Sequence, residues 1–102
     1  MKTGFNLLLW TTHFVEAQFP ILATLKKTGY DAVEIPIFDN SDPAHFAKIG
    51  QALKDNGLAS TAVTVSPDEE HNPISPVAAN RKAALEHLKK VIDCGQAAGI
   101  HL

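Results

Sequence analysis

Cysteine is almost missing from this chain: Cys94 is the only one in 102 residues. A lone thiol closes no internal disulfide, and no Cys/His spacing resembles a zinc site, so a reducing, cytoplasmic setting is expected. An excess of positive charge is missing too. Nine basic and eleven acidic residues leave a net charge of −2, scattered along the chain. That removes the basic face a phosphate backbone requires, and nucleic acid is not expected as a partner. No apolar run approaches the roughly 18 residues of a membrane span, so no membrane partner is expected either. The stretch FNLLLW after Lys2 is apolar for only about six residues, against roughly 7–15 for a signal-peptide core. HExxH, P-loop, GxSxG and CxxC motifs are also absent, which leaves no ready-made catalytic signature.

What is present is a repeat. Hydrophobic residues make up 45% and charged residues 20% of the chain, as in a soluble globular protein, and residues 1–102 read as a single, partial domain. Three helix-like stretches close on glycine and are followed by strand-like stretches. They are Lys27-Thr28-Gly29 before YDAVEIPI, Asp55-Asn56-Gly57 before LASTAVTV, and Ala97-Ala98-Gly99 before Ile100-His101-Leu102. Glycine after a last turn is a helix stop.

The near-continuous apolar run at 3–10 (TGFNLLLW) predicts a first strand covered on both faces. A helix is predicted from Pro20 to Gly29, after a loop over 11–18 that holds a helical turn. Residues 31–37 form the second strand, with Pro36 marking its end because proline cannot donate to a central ladder. Ser41-Asp42-Pro43 opens the second helix with a cap followed by proline, and Phe46, Ile49 and Leu53 supply its apolar stripe. The β-branched run 58–65 is the third strand. Ser75-Pro76 is read as a second cap-then-proline start, for a long helix reaching Ala98. Leu85, Leu88 and Ile92 are its expected buried stripe, and Arg81, Lys82, Lys89 and Lys90 its solvated face.

Two architectures use βα repeats, the doubly wound open sheet and the (β/α)8 barrel. The segment WTTHFVEAQF after the first strand contains no glycine, which argues against a dinucleotide-binding turn. The expected fold is α/β, the N-terminal part of a (β/α)8 TIM barrel: three βα units and the start of a fourth strand. Crossovers of one hand put all three helices on one side of the sheet and leave the other side and two strand edges open. A lone monomer of this kind is expected to be poorly stable.

A barrel carries its active site at the C-terminal ends of its strands. That selects Asn6, Trp10, Thr12 and His13, then Glu34 and Asp39, then Thr64, Ser66, Asp68, Glu69, His71 and Asn72. Glu34 is the sharpest of these. A carboxylate between Val33 and Ile35 is costly unless paired, so it either faces a polar cavity or makes a structural link between strands. The two readings carry equal weight. Asn6 follows the same logic with less force. Trp10 offers an apolar wall for a sugar ring or simple rim packing. His45, His87 and His101 show no partner in the sequence, and Cys94 is expected to be a small packing residue.

In order along the chain, GFNLLLWTTHF, TGYDAVEIPIF, DNGLASTAV, SPDEEHNPIS and RKAALEHLKKVIDCGQAAGIHL resemble the sugar isomerase/epimerase barrels of xylose-isomerase-like type. The similarity is greatest to ketose 3-epimerases of the D-tagatose and D-psicose kind. The resemblance implies a chain about three times longer, a divalent metal (Mn, Co or Mg), and proton transfer at C3 of a ketose through a cis-enediolate. It implies metal ligands and catalytic glutamates beyond residue 102, so no catalytic and no metal residue is assigned within this chain. The substrate-binding residues it implies are Asn6, Trp10, Glu34 and Asn72. Trp10 and Glu34 would contribute to the pocket wall, and the loop around Asn72 would lie over its mouth. The family's first-strand aromatic aligns with either Phe5 or Asn6. The implied partner is a small sugar, and relatives pair as homo-oligomers. The same barrel also serves inosose-dehydratase-like and hydroxypyruvate-isomerase-like enzymes, and a self-assembling, non-catalytic half-barrel is a third expectation.

Overall fold

The computed structural model describes residues 1–100; the expected start of a fourth strand at His101-Leu102 lies outside the described residues. The order of elements is β1 (Gly4–Asn6), α1 (Pro20–Thr28), β2 (Ala32–Pro36), α2 (Pro43–Asp55), β3 (Ala59–Val63) and α3 (Ala78–Ala97). Short 3₁₀ turns occupy Leu7–Leu9, Glu16–Gln18 and Glu69–His71. The strands form one parallel sheet in the order β1-β2-β3. Consecutive parallel strands joined through helices are the arrangement expected of the first units of a (β/α)8 barrel.

The three predicted glycine stops are real. Gly29, Gly57 and Gly99 carry φ of 115°, 67° and 80°, and no other residue type takes a positive φ among the described residues. Those values belong to the left-handed region, which a Cβ disfavours. Asp42 caps α2 through its carboxylate, which accepts from the Ala44 N–H at 3.1 Å, with Pro43 at the first helical position. Pro36 ends β2 as expected, and the ladder is completed one residue later, where Ile37 N donates to the Val63 carbonyl at 2.9 Å.

Val33 and Ile35 of β2 and Ile37 just beyond it alternate along the chain and are fully buried. They pack in one core with Leu22 and Leu25 of α1, Phe46, Ile49 and Leu53 of α2, and Val91 and Cys94 of α3. All three helices therefore cover one face of the sheet. On the opposite face Ala59 and Thr61 of β3 are exposed.

Three expectations are corrected. The first strand does not run to residue 10, because Asn6 Oδ1 accepts from the Leu8 N–H at 2.9 Å and turns the chain into a 3₁₀ turn. The third helix does not start at Pro76. Ser75 is buried, its Oγ accepts from Val77 N at 3.2 Å, and the helix begins at Ala78. The stripe Leu85, Leu88 and Ile92 is not buried; its members are 53%, 38% and 53% exposed. The face of α3 turned to the core carries Ala84, Val91, Cys94 and Gly95 instead. Arg81 is also more than a solvated charge, since its guanidinium donates to the Ser75 carbonyl at 2.8 Å.

Candidate functional site: a polar level on the open face of the sheet

Paired residues of a parallel ladder point to the same side of the sheet, and successive residues alternate. Asn6 pairs with Glu34, and Glu34 pairs with Thr61. Since Val33 and Ile35 face the helices, Asn6, Glu34 and Thr61 form one level on the opposite face. The level on the N-terminal side is Gly4, Ala32 and Ala59, all small, and the level beyond is Pro36 with Val63. A polar row thus crosses the sheet between a row of small side chains and an apolar one.

Glu34 is half-buried and makes no ion pair or side-chain hydrogen bond among the described residues. Its carboxylate is an acceptor without a local partner. The Asn6 carbonyl oxygen is taken by Leu8 N, which leaves the amide NH₂ as the group to donate into the same space. Thr61 adds a hydroxyl that both donates and accepts. Together the three offer a carboxylate flanked by an amide donor and a hydroxyl, a donor–acceptor set suited to the hydroxyl groups of a polyol.

Trp10 is placed elsewhere. Its ring packs against Phe5 at a centroid distance of 4.4 Å with the planes tilted by 35°, and Phe5 pairs with Val33 on the helix side of the register. Trp10 lines a cavity of about 300 Å³ with Leu7, Phe14 and Ile21, beside α1. Asn72 spends its side chain inside its own loop: Nδ2 donates to Glu69 Oε2 at 2.8 Å, and Oδ1 accepts from Ile74 N at 3.0 Å. The structure brings Asn6 and Glu34 together and sets Trp10 and Asn72 apart from them. Ser66 is exposed in the loop after β3, and Thr64 Oγ1 donates to the Ile37 carbonyl at 2.7 Å.

A second polar cleft, of about 270 Å³, opens between the loops that follow β1 and β2 and is lined by His13, Asp39, Ser41, Asp42, His45 and Phe46. The His13 and His45 rings stack at 4.6 Å. His45 Nε2 lies 2.7 Å from the Phe14 carbonyl, which fixes it as a donor. The Asp39 carboxyl is held below its ordinary range by the Ser41 hydroxyl and N–H, both of which donate to it, with the two histidines adding to the effect. Thr12 is exposed beside this cleft. Among the described residues, no group of three or more His, Cys, Asp or Glu side chains is placed to hold a metal ion.

Thr61 escaped the sequence reading because a threonine in LASTAVTV reads as a strand former. Only the register, which sets it level with Glu34, marks it. The sequence shows no partner for His45 or His87, yet His45 binds the Phe14 carbonyl and His87 binds Asn40. Their partners lie 31 and 47 residues away in sequence, a separation that no local pattern reports. His101 lies outside the described residues.

The xylose isomerase-like TIM barrel family model matches residues 22–102. The chain belongs to that family. Among solved structures, this xylose isomerase-like chain is similar to D-psicose 3-epimerase crystallised in the presence of D-fructose, at 26% identity with a TM-score of 0.77 over 99% of this chain. It also superposes on D-psicose 3-epimerase with D-tagatose from Clostridium cellulolyticum H10, at 20% identity and a TM-score of 0.78; at that identity the likeness is one of fold. The chain spans 35% of the length of each of these epimerases. No match is found among curated protein sequences. Among the described residues, no helix is long and apolar enough to cross a membrane.

Proposed function

We propose that this chain forms the first three βα units of a sugar isomerase/epimerase of ketose 3-epimerase type, and that the level Asn6–Glu34–Thr61 is its contribution to the sugar pocket. The observation that carries the reading is Glu34: a half-buried carboxylate without a partner among the described residues, on the sheet face turned away from the helices. The 26% identity to a D-psicose 3-epimerase over 99% of the chain supports the substrate class.

In this reading Glu34 accepts hydrogen bonds from sugar hydroxyls, Asn6 donates to a sugar oxygen through its amide, and Thr61 completes the row. These residues bind and orient; none is assigned the proton transfer. A divalent metal (Mn, Co or Mg) would stabilise negative charge developing on the substrate oxygen. No group among the described residues fits such an ion, and the reading assigns its ligands to the remainder of the barrel. The small sugar remains the proposed partner, with assembly as a homo-oligomer.

The test is solvent-deuterium incorporation at C3 of D-fructose, D-psicose and D-tagatose by the full-length protein, with manganese and after chelation. Incorporation accompanied by epimer formation supports the reading. Failure to exchange C3 of any ketose overturns it, and turnover of an inosose in its place would move the protein to another chemistry on the same barrel.

A further inference from the structure

Beyond the polar level, the loops at the same end of the sheet contain a set of polar contacts with one consistent direction. Asn40, in the loop after β2, places its amide Nδ2 3.0 Å from His87 Nδ1 on α3. An amide nitrogen only donates, so His87 Nδ1 is the acceptor, and the neutral ring carries its proton on Nε2. That nitrogen is buried and has no partner among the described residues. Across from it, in the loop after β3, the His71 ring centroid is 5.7 Å from that of His87, with the planes tilted by 59°. His71 Nδ1 lies 2.6 Å from Asp68 Oδ1. A carboxylate only accepts, so His71 Nδ1 bears the proton, and its Nε2 is an acceptor when the ring is neutral.

A free buried donor on one ring thus lies beside a ring whose second nitrogen can accept. Two imidazoles joined by an N–H···N bond of about 2.9 Å have centroids roughly 5 Å apart, against 5.7 Å between these two rings. We propose that His87 is a positioning residue that locks the loops after β2 and β3 into one arrangement through the chain Asn40 → His87 → His71 → Asp68, its middle bond closing as the second loop settles. The two outer bonds exist already. The loop so held is the one that contains Asn72, and Cys94 of α3 secures the same Asn40 from below through an Sγ contact of 3.6 Å to its carbonyl. The consequence for sugar binding rests on the function proposed above; the wiring does not.

The test uses the full-length protein labelled with ¹⁵N-histidine, with His71 and His87 assigned through His71→Gln and His87→Gln. In the unsubstituted protein, His87 should show an unprotonated Nδ1 and a protonated Nε2, and His71 the reverse. Asn40→Asp replaces the donor by an acceptor and should move the His87 proton onto Nδ1. A proton on His87 Nδ1 in the unsubstituted protein, or an unchanged His87 tautomer in Asn40→Asp, overturns the proposal. These readings need no substrate and no disruptive variant. In ketose kinetics, His87→Phe should raise KM several-fold with a smaller change in kcat. His87→Gln, which can still accept from Asn40 and donate to His71, should restore most of the loss. An unchanged KM in His87→Phe removes the positioning role. Expected tautomers together with a ¹⁵N–¹⁵N hydrogen-bond coupling between His87 Nε2 and His71 Nε2, without ketose turnover in any variant, would uphold the wiring and overturn the epimerase reading instead. Absence of that coupling overturns the wiring.

Discussion

Gly50 of α2 lies directly against the backbone of Ala98 at the end of α3: a Cβ built on Gly50 would come within 2.4 Å of the Ala98 carbonyl oxygen and 2.7 Å of its carbon. The contact is with backbone, which cannot swing aside as a flexible side chain can. Gly50→Ala is therefore expected to force the two helices apart and destabilise the protein by about 1–3 kcal/mol. Urea denaturation of the two proteins side by side checks this, and an unchanged midpoint would mean that α3 docks elsewhere.

Glu34 supports a prediction on activity. Glu34→Gln keeps size and removes charge, and Glu34→Ala removes the acceptor altogether. Loss of a charged hydrogen bond to a sugar hydroxyl is expected to lower kcat/KM by about 10- to 100-fold, with Glu34→Gln less affected than Glu34→Ala. Because Glu34 has no partner to orphan among the described residues, the fold should survive both changes. Loss of the folded state in Glu34→Gln would show that the carboxylate is a structural link instead.

Cys94 is fully buried, and burial, followed by the charges of Asp93, Asp39 and Asp42, pushes its thiol above the ordinary 9.0. The thiolate is the reactive form, so the folded protein should resist thiol reagents at neutral pH and react readily once unfolded. Rapid labelling under native conditions would contradict this burial.

The Asp68 carboxyl is held below the ordinary 3.8, chiefly because the His71 ring donates a hydrogen bond to it. A depressed folded value stabilises the folded form at pH above the unfolded value and loses that effect as pH falls through the folded value. The 3₁₀ turn Glu69–His71 should therefore loosen only below about pH 4, while the strands hold. Carbonyl NMR of Asp68 with amide exchange of residues 69–72 measures this, and an Asp68 that titrates at or above 3.8 would count against the His71 contact.

Much of the fold is legible because its signals are local. The glycine stops need a positive φ that few other residues accept, and the Asp42-Pro43 start satisfies an exposed N–H within two residues. Two misreadings have the opposite cause. LLLW reads as strand by composition, yet a single side-chain acceptor on Asn6 redirects the backbone. In α3 the large residues Leu85, Leu88 and Ile92 suggest a buried face, whereas the helix meets the core through Ala84, Cys94 and Gly95. Hydrophobic patterning weights size, while close docking of two helices selects smallness. In the candidate site, Glu34 stood out as a charge in an apolar run. Thr61 and the Asn40–His87 contact depend on register and on pairs far apart in sequence.

The level Asn6–Glu34–Thr61 has a consequence for how such a chain can vary over descent. The side-chain period of a strand is two, so inserting or deleting one residue between Gly29 and Glu34 would turn the carboxylate into the helix layer and present Val33 or Ile35 to the opposite face. The same holds between Gly57 and Thr61. The alignment of the row is thus written in lengths rather than in letters. Lineages can exchange the three side chains and so alter what is bound, but gaps in those two short segments should be purged, while the loop from Ser66 to Pro73 remains free to grow or shrink.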